Sequence, residues 1–158
     1  MNLDFLDFKL LRELAANSNL TQAQLAERVG LSTTACARRQ NALENAGFIR
    51  GYRAALNLST LGFRSLVVVR IALDSQSDEA LANFEQAIAL CPSVTRCFLM
   101  SGADDYLVLV VARDIEDFEH IHKTQLARLP GVARIQSSFA LRTILNRDIP
   151  PRALDIQK

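Results

Sequence analysis

Pro92-Ser93-Val94-Thr95-Arg96 and Pro130-Gly131-Val132-Ala133-Arg134 stand 38 residues apart, and each closes an amphipathic stretch and opens an apolar one. Proline ends a helix because it has no N–H to donate and its ring clashes with the preceding turn. The β-branched residues that follow favour a strand. Two such helix-to-strand exits in one half of the chain leave few possible orders of elements.

Ser65–Leu73 (SLVVVRIAL) predicts a strand. Asp78 is placed to cap a helix that carries Leu81, Phe84, Ile88 and Cys91 on one side. Val94–Met100 predicts a strand, Ser101-Gly102-Ala103-Asp104 a turn, and Tyr106–Ala112 (YLVLVVA) a returning strand. Asp114 is placed to cap a second helix with Phe118, Ile121, Gln125 and Leu129 on its main face, and 132–145 predicts a long last strand. The order β-α-β-β-α-β is the ferredoxin-like arrangement, with both helices on one face of an antiparallel sheet. The other face has no cover within the chain. Val67, Val69 and Ile71 are expected to need that cover, which predicts a homodimer packed sheet to sheet.

The front half has a different period. Leu6, Leu10, Leu11 and Leu14 form a helical stripe over 4–16, with Asp4 as cap and Asp7 in the first turn, where the helix dipole favours a carboxylate. Thr21-Gln22-Ala23-Gln24 has the spacing of a capping box. The helix it opens ends at Gly30, and Ser32 can cap a third helix over 33–46. Helix, glycine turn, helix is the helix-turn-helix pattern. On the third helix Cys36, Leu43 and Ala46 are expected to face inward, and Thr33, Thr34, Ala37, Arg38 and Asn41 outward. Short hydroxyls, an arginine and an asparagine on one face can hydrogen-bond base edges in a major groove wide enough to admit a helix. Residues 48–53 (FIRGYR) predict a strand that offers Arg50 and Arg53 to the phosphate backbone as a wing would. In this reading Thr34, Arg38 and Asn41 read bases, and Arg39, Arg50 and Arg53 hold phosphates.

Charge is distributed accordingly. Residues 1–64 hold eight Lys/Arg against five acids, whereas the remainder holds ten against twelve. Only the front half is suited to a polyanion. The domain bounds expected are 1–56 for a winged helix-turn-helix, 57–64 (NLSTLGFR) for a linker, 65–146 for the ferredoxin-like domain and 147–158 for a tail. The fold class is α+β. The longest apolar run, near 65–73, is broken by Arg70 and is far short of the ~20 residues that span a bilayer. Together with an acidic start that lacks a signal-peptide layout, this predicts a cytoplasmic protein without membrane contact. Cys36, Cys91 and Cys97 have no metal spacing and read as small buried hydrophobes. His120 and His122 lie two apart on a predicted helix, on different faces, and cannot share a metal. No nucleophile-elbow, zincin, P-loop or dinucleotide motif is present, so neither an enzyme nor a cofactor is expected.

In order along the chain, Leu3-Asp4-Phe5-Leu6-Asp7 with Leu10-Leu11, Leu25–Ser32, Cys36, Arg39, Leu43-Glu44, Gly47-Phe48-Ile49, Gly51-Tyr52, Leu61-Gly62, Ser101-Gly102, Asp105-Tyr106 and Leu129–Val132 resemble the motifs of the Lrp/AsnC, or feast/famine, family. The resemblance implies a transcriptional regulator that binds double-stranded DNA. It also implies dimers that assemble to an octamer, and a small effector, usually an amino acid, held between dimers. By matching positions it places Gly102, Ala103, Asp104, Asp105, Tyr106 and Ser137 at the effector site. Three positions depart from the family pattern. Thr33 and Ala35 replace prolines at the start of the third helix, and Gln40 stands where an aliphatic residue is usual. Asp104 beside Asp105 puts two acids in the effector loop and predicts an amine-bearing ligand. Arg39, which matches the family, is expected to position the helix rather than read bases. Two other readings stay open at this level: a sirohaem-decarboxylase-like enzyme on the same two-domain plan, and an amino-acid sensor that does not bind DNA.

Overall fold

The computed structural model of the chain describes residues 2–155. Residues 1 and 156–158 of the expected first domain and tail lie outside the described residues. The chain divides into two units, one running to Ala55 and taking in the segment from Leu145, the other Leu56–Ile144.

The first unit holds α1 (Phe5–Ala16), α2 (Gln22–Val29) and α3 (Thr33–Asn45). Each begins on a side-chain cap. Asp4 accepts the Asp7 N–H at 2.9 Å while Asp7 accepts that of Asp4 at 3.0 Å, and Thr21 and Gln24 form the same reciprocal box. Ser32 accepts the Ala35 N–H at 3.2 Å. Each such cap contributes about 1 kcal/mol by satisfying an orphan donor. Gly30 ends α2 at φ 84, a left-handed conformation that a side chain would resist. Lys9 Nζ then donates to Val29 O at 3.1 Å, placing a cation on the negative end of that helix. Leu10, Leu14, Leu25, Ala26, Val29, Cys36 and Leu43 form one core. Ala46, expected inside, is exposed, because it is the C-cap residue where the chain already turns away.

Residues 48–53 form no strand. The backbone N–H of Phe48 returns to Leu43 O at 3.0 Å to close α3, and among the described residues no strand lies opposite to complete a ladder. The segment from Leu145 packs on α1. Arg12 donates through Nε and Nη2 to Leu154 O at 3.1 and 2.8 Å and pairs with Asp155 at 3.5 Å.

The second unit contains β1 (Ser65–Leu73), α4 (Asp78–Ile88), β2 (Val94–Leu99), β3 (Tyr106–Ala112), α5 (Ile115–Thr124) and β4 (Val132–Phe139). Its antiparallel sheet has the order β2-β3-β1-β4, with Val69 opposite Val108 on one side and Ser137 on the other. Five boundaries differ from expectation, the first being that α4 stops at Ile88, so that Cys91 and Pro92 lie beyond it. Ser77, not Asp78, caps α4, accepting the Ala80 N–H at 3.2 Å. The strand opened by Val94 stops at Leu99, so Met100 is already in the turn. The second helix ends at Thr124, and a 3-10 turn, Leu126–Arg128, leads into Pro130. The last strand stops at Phe139 because its partner β1 begins at Ser65: Ala140 gives its N–H to Leu66 O at 2.9 Å, and among the described residues no strand continues the ladder beyond it.

The faces of the sheet are also reversed relative to expectation. Val67, Val69 and Ile71 are fully buried with Phe84, Ile88, Val108, Val110, Phe118 and Ile121, on the side covered by α4 and α5. The face without helices carries the alternate residues, Leu66, Val68, Arg70 and Ala72 on β1 and Leu107, Leu109 and Val111 on β3. The strand period of two was legible in the sequence. Which parity meets the helices depends on packing between elements far apart in the chain.

Candidate nucleic-acid interface and effector loop

Helix α3 presents two different surfaces. Thr33, Thr34, Arg38 and Asn41 are exposed, and Ala37 is half-buried among them. Residues 34, 38 and 41 follow a helical i, i+4, i+7 spacing and share one face. Arg38 and Asn41 make no hydrogen bond or ion pair with other described residues. Arg50 and Arg53 lie in the exposed extended segment after α3, likewise without a partner among the described residues.

The neighbouring polar residues on α3 are engaged within the unit. Arg39 Nη1 lies 2.8 Å from Asp4 Oδ2 and 2.8 Å from Asp7 Oδ1. Asp7 is 3% exposed, so this guanidinium neutralises a buried carboxylate while tying α3 to the cap of α1. Asp4 is held below the usual carboxylate range, first by the Asp7 N–H and then by Arg39. Arg39 is pushed above its ordinary value, chiefly by Asp7 and then Asp4. Gln40 accepts from Gln22 Nε2 and donates to Tyr52 OH at 2.7 Å and to Glu44 Oε1 at 3.2 Å. Tyr52 OH in turn donates to Glu44 at 2.6 Å. The polar side chain at an expected aliphatic position is thus satisfied by a network that joins α2, α3 and the segment carrying Arg50 and Arg53. Burial, then the Glu44 carboxylate, pushes the Tyr52 phenol up, which keeps it a donor.

The loop expected to hold the effector joins β2 to β3. Its ends are held by Met100 N–H to Asp105 O at 2.8 Å and by Asp105 N–H to Ile71 O at 2.9 Å. Asp105 is buried. Its Oδ2 accepts the Leu73 N–H at 2.7 Å, where the β1–β4 register shifts, and its Oδ1 accepts from Gln76 Nε2 at 2.8 Å. Asp104 pairs with Arg134 Nη2 at 3.0 Å. Both acids of the loop are therefore engaged inside the chain and do not form an open anionic pair. Gly102 stands at φ 148 in an exposed stretch with Ser101 and Ala103. Tyr106 points away from the loop into the core, stacked on Phe84 with ring centroids 4.3 Å apart and donating to Glu85 Oε1 at 2.9 Å. Ser137 is exposed on the edge strand β4, opposite Val69, on the side that faces the helices. Gln22, Gln76, Glu85 and Arg134 complete these networks without having been singled out in the sequence. Only Arg134 carried a signal, as the last residue of the second helix exit.

The winged helix-turn-helix DNA-binding model matches residues 3–50, and the Lrp/AsnC ligand binding domain model matches residues 66–150. The chain belongs to the Lrp/AsnC family. The Bkd operon transcriptional regulator of Pseudomonas aeruginosa is 40% identical over 149 residues, covering 94% of this chain and 97% of the relative. A leucine-responsive regulatory protein of Rhizobium meliloti is 37% identical over 144 residues, covering 91% and 92%. Among solved structures, a Neisseria meningitidis transcriptional regulator in complex with L-Met superposes with a TM-score of 0.90 at 33% identity, covering 97% of this chain and 99% of that one. This Lrp/AsnC chain is therefore a DNA-binding transcriptional regulator with an effector-binding domain, and not an enzyme. No helix among its described residues is long and apolar enough to cross a membrane.

Proposed function

We propose that this Lrp/AsnC regulator reads operator DNA with the Thr34–Arg38–Asn41 face of α3 and adjusts its DNA occupancy to an amino acid. The observation that carries the reading is the division of labour on α3. Arg39 and Gln40 are held inside the unit, while Arg38 and Asn41, with Thr33 and Thr34 beside them, stay exposed. An arginine and an asparagine can each pair bidentately with a base edge. Arg50 and Arg53 take phosphates, which fix register without reading sequence.

Two copies form the working dimer through the open sheet face, whose Leu66, Val68, Leu107, Leu109 and Val111 supply apolar surface. A two-fold dimer matches two half-sites of a pseudo-palindrome, and dimers assemble further to an octamer. The effector sits at the Ser101–Tyr106 loop. There the exposed backbone around Gly102 receives its carboxylate, Asp104 and Asp105 hold the loop in shape, and Tyr106 anchors it to α4. Ser137 completes the site from β4. Effector binding favours one dimer–dimer arrangement and so changes how many half-sites are engaged together. The protein works in the cytoplasm, with the DNA.

A melting-temperature screen of the proteinogenic amino acids tests the effector class, because a ligand that binds only the folded state raises the midpoint. A rise with one or a few amino acids is expected. No rise with any of them at millimolar concentration contradicts an amino-acid effector.

A further inference from the structure

The segment from Leu145 belongs to the first unit, with α1, α2 and α3, although it follows the second unit in the chain. Pro150 and Pro151 stiffen it and lead into a 3-10 turn, Pro151–Leu154, so less freedom is left to lose when it docks. Arg12 of α1 grips the end of that turn through two hydrogen bonds to Leu154 O, at 3.1 and 2.8 Å. Asp148 and Ile149 wall a hollow of about 490 Å³, whose other sides are Leu11 and Leu14 of α1 and Phe48 and Tyr52 after α3. Arg50 and Arg53 border the same hollow. The C-terminal segment therefore lies beside the stretch that carries these two arginines.

Its charges are unequally engaged. Asp155 pairs with Arg12 at 3.5 Å, and Asp148 is not free either. Arg147 and Arg152 are exposed and make no hydrogen bond or ion pair with other described residues. Acids and arginines are equal in number over 145–155, yet the charge left without a partner is positive. Unpaired guanidinium groups gathered around one hollow repel one another, and a phosphate backbone relieves that repulsion.

We propose that the docked C-terminal segment is part of the DNA interface, where Arg147 neutralises a phosphate flanking those met by Arg50 and Arg53. This rests on the reading that 48–53 is a side the duplex backbone meets. Arginine suits the role, because its fork can bond two phosphate oxygens, and such a contact adds affinity without reading sequence. The grip of Arg12 on Leu154 fixes where the added charge stands.

Fluorescence-anisotropy titration of the full chain with a mixed-sequence duplex, repeated over a series of salt concentrations, tests this, because phosphate contacts need no operator. Each variant is first verified as folded by its melting curve. Arg147→Ala should weaken binding several-fold at low salt and flatten the log–log salt slope by up to ~0.9 for each phosphate no longer neutralised. Arg147→Lys keeps a point charge there and should keep the slope. Arg128→Ala, which removes an exposed arginine from the second unit, should leave the slope unchanged. A wild-type slope in Arg147→Ala overturns the inference, and Arg53→Ala shows how far the failure reaches. If Arg53→Ala alone flattens the slope, the phosphate reading of 48–53 stands without the C-terminal segment; if neither does, both fall. Equal flattening in Arg128→Ala, or flattening that Arg147→Lys does not restore, also overturns it, since net charge or local structure would then be the cause.

Discussion

Gln40 Nε2 donates to the Tyr52 hydroxyl at 2.7 Å, and that bond ties the middle of the recognition helix to the segment that carries Arg50 and Arg53. Without a strand ladder at 48–53, this network adds to the backbone bonds of Phe48 and Ile49 to Leu43 O in holding that segment to α3. Tyr52→Phe removes the hydroxyl from Gln40 and Glu44 together. We expect a loss of about 1 kcal/mol, the net worth of such a bond, in urea denaturation. Operator affinity should fall with an unchanged base preference, measured by competition with operator variants. An unchanged affinity would free Arg50 and Arg53 from dependence on this network.

Arg39 sits among residues expected to meet DNA, yet its guanidinium lies 2.8 Å from both Asp4 and Asp7. Arg39→Ala leaves the Asp7 carboxylate buried without its counter-charge. The half-buried pair should cost about 1–3 kcal/mol, less than a fully buried one. The acid limb carries a second signature. Asp4 is held below the usual range, so the stability it contributes is present above that range and is lost as pH falls through it. Denaturant melts between pH ~6 and ~3 should show a smaller loss of stability on acidification in Arg39→Ala than in the wild type, because Asp4 then departs less from its unfolded value. Identical acid limbs would mean that the Asp7 N–H alone holds Asp4.

Arg53 is exposed and has no partner among the described residues, and in the proposed function it meets a phosphate. Arg53→Ala should weaken binding alike for all sequences and flatten the log–log salt dependence by up to ~0.9 for each phosphate no longer neutralised. A salt slope equal to that of the wild type would remove Arg53 from the interface.

Asp105 matches an effector residue by position, but its two oxygens hold the Leu73 N–H and the Gln76 amide. Asp105→Ala should therefore destabilise the second unit by about 1–3 kcal/mol, the cost of an unsatisfied buried donor. Asp105→Asn, which keeps one acceptor, should cost less. If Asp105→Asn abolished the response to the effector with its melting curve unmoved, the carboxylate would touch the ligand instead.

These cases mark how far the sequence could be read. Caps and stops at Asp4, Thr21, Gly30 and Ser32 are local, fixed by a side chain and a backbone group within four residues, and they were legible. The outer face of α3 was legible for the same reason, since helical spacing alone assigns residues 34, 38 and 41 to one side. Partners of Arg39, Gln40, Asp104 and Asp105 lie 12 to 35 residues away, apart from Glu44, and no local rule names them. The end of β4 at Phe139 and the parity of Val67, Val69 and Ile71 likewise follow from what stands opposite. The loop acids show the functional consequence: two carboxylates side by side in sequence read as a lure for an amine, whereas each is engaged by a different partner in space.

The central claim is that the exposed Arg38 face of α3 reads bases, and selection from a random duplex library by the full-length protein tests it most directly. The wild type should enrich a pseudo-palindrome with half-sites about one helical turn apart, or a multiple of it. Arg38→Ala should still enrich duplexes but lose preference at one base pair in each half-site, a discrimination of about 1–3 kcal/mol. An identical motif from both proteins, or no motif from the wild type, would contradict the account.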